Sequence, residues 1–423
     1  MENKTRQIKK DYIWNTVAGL INAAESVFMS VVVTRITGLT DAGILTIAFA
    51  VANLMMTIGK FGVRTYQVTD IEGRFSFSIY LKTRMITALL MLISTLGYLL
   101  YASFRLKHSP DKIIIILAIC MIYTVETIED VIWAYYQRNN RLYAGAQMFC
   151  IRWLGILLVF PVVLLISKSL AFTLFVCLGI SIILFFCLLH YTFPHVCSEE
   201  DKVINWKFEK KDLRKIGELL KIAFPLFGSS FLSFYVNNAP KYAIDACLTD
   251  EIQACYGFVA MPVFVIRLLN DFVYQPTLVP LAVEWEQKQH EKFLKRIMRQ
   301  FGVIFVISIV CLLGAYFVGI PVLSLLYHTD LSAYKDELMI LLLAGGFLAI
   351  SGYLSIVLTI MRCQKDLLWP YCLIAIIAVI TLKVIVFQYG TIGAALCYMG
   401  LMVFLCVLYG GILLKKLKGI VIL

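Results

Sequence analysis

One feature constrains this chain more than any other. Long apolar segments alternate with short polar connections from end to end, and Lys and Arg crowd into every second connection. The apolar segments fall at about 12–34, 42–61, 85–104, 113–136, 142–166, 170–191, 215–237, 254–278, 300–320, 337–360, 368–387 and 391–414. Most reach the ~20 residues that cross ~30 Å of hydrocarbon at 1.5 Å per residue. Inside lipid the backbone must bond to itself, which leaves helices as the spanning element for segments of this length. The expectation is an all-α integral membrane protein of about twelve transmembrane helices. Residues 319–326 either extend the ninth span or form a re-entrant piece.

The charge distribution settles what the net charge of +11 means. With the N-terminus inside, only Arg105, Lys107, Lys112, Lys168, Lys241 and Lys335 of the 38 Lys and Arg fall in outer connections. The basic excess is therefore a topology signal facing anionic lipid, not a nucleic-acid surface. Both termini are expected on the cytoplasmic side of a multi-pass membrane protein. The basic start, Lys4 to Lys10, runs straight into a full-length span, so no cleavable signal is expected. The twelve Cys are scattered, mostly within spans, and read as small apolar packers. No GxxxxGK[ST] motif occurs, so the chain carries no P-loop.

The largest inner connection, Tyr191–Arg214, separates two halves. The expected organisation is a bundle at 1–191, a cytoplasmic linker at 192–214 and a second bundle at 215–423, with a basic interfacial helix over 207–222. Leu39-Thr40-Asp41 recurs as Leu248-Thr249-Asp250, in each case just after a long first helix with a cation near its end, Arg35 or Lys241. Six spans per half keep both copies in one orientation. The expected architecture is two pseudo-symmetric six-helix bundles around a central cavity. Short outer connections and the lack of a DxD motif count against a membrane polymerase or glycosyltransferase.

Ionisable groups at bilayer depth cost several kcal/mol unless they face a bundle interior or water, so they are the leading site candidates. The first span carries Asn15, Gly19, Asn22, Ser26 and Met29 on one helical face, with Glu25 beside it. The seventh carries Ser230, Ser233, Asn237 and Lys241; the second Asn53, Thr57, Lys60 and Arg64; the eighth Arg267, Asn270, Asp271 and Tyr274. Polar stripes of this kind also serve as helix–helix glue. Arg267 and Asp271 have the spacing of an i,i+4 ion pair. The fourth span places Glu126, Glu129 and Asp130 within five residues, at the depth of Arg152 on the fifth. Either Arg152 locks the two helices by pairing with Glu126, or the acids form a protonatable, ion-coupling cluster that includes Glu25 and Asp271 among its candidates. Lys383 stands alone in the eleventh span. Arg35, Lys60, Arg64, Arg152, Lys241, Arg267 and Lys383, with Asn22 and Asn237, are the expected cavity lining, and a cationic cavity suits phosphate. Pro225 and Pro262 lie inside spans and are expected to kink them. His190, His195 and Cys197 cluster without metal-ligand spacing, and no metal site is expected.

The segment Gly59-Lys60-Phe61-Gly62-Val63-Arg64-Thr65-Tyr66-Gln67-Val68-Thr69-Asp70-Ile71, continuing to Arg74, Tyr80 and Arg84, resembles the loop after the second span in bacterial polysaccharide flippases. Pro225 with Asn237-Asn238-Ala239-Pro240-Lys241-Tyr242 strengthens the likeness. These are Wzx-type proteins of the polysaccharide transporter family, within the multidrug/oligosaccharidyl-lipid/polysaccharide (MOP) exporter superfamily. The resemblance implies the fold shared with multidrug exporters of that superfamily (MATE). It implies alternating-access transfer of undecaprenyl-diphosphate-linked oligosaccharide from the inner to the outer leaflet of a bacterial cytoplasmic membrane, for capsule, O-antigen or another surface polysaccharide. Arg64, Arg74, Lys82 and Arg84 are then candidates to capture the headgroup, or simply positive-inside charges. The implied partners are the lipid-linked substrate, membrane lipids, a polysaccharide polymerase and chain-length proteins. No cofactor is expected beyond a coupling H+ or Na+. The alternatives are a cation-coupled multidrug antiporter of the same superfamily, favoured by the acidic trio, and a membrane-embedded polymerase or glycosyltransferase.

Overall fold

The computed structural model describes residues 2–70, 73–197, 208–274 and 277–421, with side chains for all of these except 2–6, 195, 267, 268, 271, 272, 364, 365 and 418–421. Among the described residues there is no strand. The order is α1 (Glu2–Ile36), α2 (Leu39–Lys60), α3 (Val63–Thr69), α4 (Phe77–Tyr101), α5 (Pro110–Arg138), α6 (Leu142–Ser167), α7 (Leu170–Val196), α8 (Lys210–Cys247) and α9 (Asp250–Tyr274). Then follow α10 (Leu278–Glu286), α11 (His290–Gly314), α12 (Ile320–Tyr327), α13 (Lys335–Ile360) and α14 (Leu368–Val421).

Nine helical stretches among the described residues are long and apolar enough to cross a membrane. The segments expected at 113–136 and 254–278 fall on α5 and α9, which stand outside those nine; α5 carries Glu126, Glu129 and Asp130. The last two expected spans are the two parts of α14, broken where Gly390 takes φ 60 and ψ −144, a left-handed φ that glycine adopts without strain. Residues 319–326 extend the ninth span: α11 runs through a π-helical turn, Ala315–Gly319, into α12.

The chain divides into two compact units, Met1–Phe234 and Tyr235–Leu423. The division falls inside α8, not in the 192–214 connection where the charge run placed it. The physical reason is the first half of α8. Ile216, Leu219 and Ala223 share a buried core with Val63, Phe77, Tyr80 and Tyr135. Lys82 Nζ donates to Asp212 Oδ2 at 2.6 Å, and Arg74 bonds Glu218. Phe227 stacks on Phe61 with ring centroids 4.3 Å apart. A Cβ on Gly62, whose φ is 69°, would lie 2.9 Å from Leu226 Cβ. The interfacial surface helix expected over 207–222 is thus corrected: from Lys210 onward it is the packed start of a long helix.

Within the first unit, α2 is buried on nearly every side, from Ala42 to Thr57. Small residues let its neighbours approach closely. A Cβ on Gly59 would come within 2.8 Å of Thr127 and Met91, which sets the spacing of α2 against α4 and α5. A Cβ on Gly145 would reach 2.9 Å from the Trp133 backbone, which presses α6 onto α5. Pro225 and Pro262 stand inside helices that continue past them.

Candidate functional site

The site is built on α5. Glu126, Glu129, Asp130, Trp133 and Gln137 recur at three- and four-residue intervals, so they share one face of the helix. The tight contacts at Gly59 and Gly145 bring α2 and α6 against that face with their own charges.

Each acid of the trio finds a cation. Lys60 Nζ lies 3.1 Å from Glu126 Oε1. Arg64 Nη1 lies 3.0 Å from Asp130 Oδ1, donates through Nη2 to Gln137 at 3.0 Å, and covers the Trp133 ring at 4.5 Å. Arg84 Nη2 reaches Asp130 Oδ2 at 2.7 Å while its Nη1 donates to the Gly59 carbonyl at 2.8 Å. Arg152 Nε bonds Glu129 Oε2 at 2.8 Å; its Nη2 is 3.6 Å from Glu126, and its Nη1 donates to Ser181 at 3.2 Å. Trp153 Nε1 also donates to Glu126, at 3.1 Å.

Exposure divides these cations into two layers. The Arg84 and Arg152 side chains are 0% exposed, whereas Lys60 is 33% and Arg64 29% exposed. Lys60 and Arg64 open onto a cavity of about 250 Å³, whose other walls are Asn15, Ala18, Gly19 and Asn22 from α1, the three acids, Trp133 and Phe149. Glu126 and Asp130 thus each bridge a cavity-facing cation and a buried one. Buried pairs recover their desolvation cost only when geometry and extra hydrogen bonds are good, and removal of one partner strands the other.

Glu25 differs from the other acids. It is 2% exposed, and its Oε1 accepts from the Tyr123 hydroxyl at 2.6 Å. Its Oε2 has no hydrogen-bond partner among the described residues, and no described cation lies within ion-pair distance.

The structure brings together Asn22, Lys60, Arg64, Glu126, Glu129 and Asp130 at the cavity, with Arg152 and Glu25 buried beside them. Arg152 is corrected from a cavity cation to an interhelical lock, and its shorter contact is Glu129 rather than Glu126. Met29, expected on the polar face of α1, is buried at 1% exposure. Arg35 is exposed near the end of α1. Lys241, Asn237 and Lys383 belong to the second unit, where Lys383 is exposed and Asn237 accepts from the Tyr398 hydroxyl at 3.2 Å. The Arg267 and Asp271 side chains lie outside the described residues. Of the four loop cations, Arg64 alone lines the cavity: Lys82, Arg84 and Arg74 are bonded to Asp212, Asp130 and Glu218. Arg84 was hidden as a member of the site because hydropathy started its span at 85. Its i±4 neighbours Tyr80 and Ala88 share its inward face and are buried with it.

Beyond the membrane, Asp70 closes the turn after α3. It accepts from the Arg74 and Phe75 amides at 3.0 and 3.2 Å and from the Tyr80 hydroxyl at 2.8 Å. Burial works to raise its pKa, but these hydrogen bonds outweigh it and hold the carboxyl below the usual range.

A family model described as polysaccharide biosynthesis protein matches residues 8–286. No curated protein matches the chain. Solved structures similar to it include the lipid II flippase MurJ in an inward closed conformation (TM-score 0.71, 15% identity, 95% of this chain and 87% of that one). A multidrug resistance MATE family transporter of the MOP superfamily in an inward-facing conformation gives 0.67 at 11% identity, over 95% and 94%. The MATE multidrug transporter DinF-BH in complex with R6G gives 0.68 at 13% identity, over 97% and 95%. At these identities the likeness establishes the fold, that of MOP-superfamily transporters.

Proposed function

The chain belongs to the polysaccharide biosynthesis protein family, and from that premise we propose that it is a flippase for lipid-linked oligosaccharide. Its substrate is a polyprenyl-diphosphate-linked saccharide, moved from the inner to the outer leaflet of a bacterial cytoplasmic membrane for a surface polysaccharide. Both termini lie in the cytoplasm on this reading, as the Lys and Arg distribution favours.

One observation carries the proposal: the two-layer charge cluster. Lys60 and Arg64 face the cavity, yet each acid they touch has a second cation behind it. An incoming diphosphate takes over Lys60 and Arg64, while Arg152 stays with Glu126 and Glu129, and Arg84 with Asp130. Substrate entry then strands no buried charge, which is the costly outcome. Guanidinium and ammonium donors suit phosphate oxygens, and Asn15 and Asn22 offer sugars hydrogen bonds. The MurJ likeness supports the reading, since that protein is a lipid II flippase.

The ion that drives the cycle is a proton at Glu25 on this account. The other three acids of the cluster have cation partners, and Glu25 has Tyr123. A cation-coupled drug antiporter shares this element, but the cavity-facing Lys60 and Arg64 oppose a cationic cargo.

The test is transfer of a fluorescent polyprenyl-diphosphate oligosaccharide in vesicles containing the purified protein. Wild type is expected to equilibrate the lipid between leaflets, and Lys60→Ala with Arg64→Ala to slow it at least tenfold, the scale of a lost charged contact. Full activity in that double variant would defeat the assignment. Glu25→Gln is expected to abolish acceleration by a pH gradient; retained acceleration would remove the proton from Glu25.

A further inference from the structure

The second unit carries a cavity of about 900 Å³ with a different lining. It lies where α13 ends, where α14 begins, and where the last part of α14 returns to the same end of the unit. Three contacts join these pieces: Tyr409 donates to the Leu367 carbonyl at 3.1 Å, Tyr371 packs on Tyr409 with centroids 6.1 Å apart, and Lys416 meets Asp366 at 3.3 Å.

Its chemistry is divided. One wall is cationic: Arg362, Lys415 and Lys416 against the single acid Asp366. Asp366 is committed to Lys416, and no carboxylate among the described residues pairs with Arg362 or Lys415. Arg362 is exposed and takes a left-handed φ of 57°, a conformation that side-chain-bearing residues adopt at a cost. The other wall is aliphatic, formed along α14 by Val407, Leu408 and Ile412. Gly411 opens a furrow in it: a Cβ there would meet nothing within 4 Å. Trp285 and Trp369 stand at the join, and indole rings favour the boundary between headgroups and acyl chains.

We propose that this cavity seats one anionic phospholipid of the surrounding bilayer, with its phosphate at Arg362 and Lys415 and an acyl chain in the furrow over Gly411. Charge complementarity selects the headgroup, because the excess cations lack internal partners. The aliphatic wall selects a lipid over a soluble phosphate, which would leave Val407 and Ile412 uncovered. Its lining residues all belong to the second unit, whereas Lys60 and Arg64 belong to the first, and the site does not depend on what the first unit transports.

The test uses the full-length protein in nanodiscs of phosphatidylcholine doped with phosphatidylglycerol, with retained lipid read by native mass spectrometry. Phosphatidylglycerol should be retained about thirtyfold over phosphatidylcholine, the scale that two cations near a headgroup provide. Arg362→Gln with Lys415→Gln should erase that preference. Gly411→Trp should lower retention of both lipids while the charges remain. In the unsubstituted protein, dibrominated phosphatidylglycerol should quench Trp fluorescence more than dibrominated phosphatidylcholine, and Trp285→Phe with Trp369→Phe should remove the difference. Equal retention of the two lipids, equal quenching by them, or displacement of phosphatidylglycerol by equimolar inorganic phosphate would overturn the proposal. Loss of transport in Lys60→Ala with Arg64→Ala bears on the flippase reading alone, and loss of the phosphatidylglycerol preference in Arg362→Gln with Lys415→Gln bears on this site alone, so the two failures are distinguishable.

Discussion

The two units hold their described ion pairs in different places. In the first, Lys60, Arg64, Arg84 and Arg152 meet Glu126, Glu129 and Asp130 inside the helix bundle, across α2, α3, α4, α5 and α6. In the second, the described ion pairs sit towards helix ends, Arg296 with Glu284 and Lys416 with Asp366. Among its described contacts between helices are two hydrogen bonds from neutral donors, Thr391 to Glu337 at 2.7 Å and Tyr398 to Asn237 at 3.2 Å. Two halves of similar span number therefore need not share one solution to burying polarity. The unit with the buried network also has the cavity that opens onto its charges, which is why the transport reading rests there.

The comparison is broken most directly at Arg152. Arg152→Ala strands Glu129 and should cost about 3–5 kcal/mol of stability, read as thermal unfolding in detergent. Glu129→Gln should restore more of that loss than Glu126→Gln, because the Glu129 contact is the shorter. Equal rescue by the two would dissolve the distinction between lock and bridge. Next comes transport: Lys60→Ala and Arg64→Ala should each lower it severalfold while moving the melting temperature little, since Arg152 and Arg84 still compensate the acids. A melting loss as large as that of Arg152→Ala would show that the two layers are one.

Smaller effects sharpen the contrast outside the membrane. Asp70→Asn should cost about 1–2 kcal/mol through weakened bonds to Arg74, Phe75 and Tyr80. The Asp70 carboxyl is held below its ordinary value, so its stabilisation is complete above pH ~4 and is lost as pH falls through the lower folded value. The variant should lose that part of the acid dependence of unfolding. The smallest effect belongs to the second unit. Arg296→Ala removes a part-exposed pair with Glu284 and should cost at most about 1 kcal/mol, shrinking further in high salt.

What was legible in the sequence follows from which forces act locally. Hydropathy located the spans, because crossing lipid leaves its mark residue by residue. The acids of α5 stood out for the same reason, and matching depth placed Arg152 beside them. Partner choice was not legible: whether Arg152 turns to Glu126 or Glu129 depends on how Gly145 lets α6 settle on Trp133. Arg84 resembles a loop charge in the sequence because α4 begins at Phe77, eight residues before the apolar run that hydropathy detects. The division between units is not where the basic, polar run at 192–214 suggests, because Ile216, Leu219 and Ala223 just beyond it pack into the first unit's core.

The most direct measurement is made on cells lacking this gene and complemented with wild type or with Lys60→Ala and Arg64→Ala. Lipids are extracted and polyprenyl-diphosphate oligosaccharides identified by mass spectrometry, with leaflet accessibility read by an impermeant reagent. The account predicts complete units trapped on the inner face and loss of surface polymer, both in the deletion and in the double variant at wild-type membrane levels. Normal polymer with no trapped units in the double variant would contradict it.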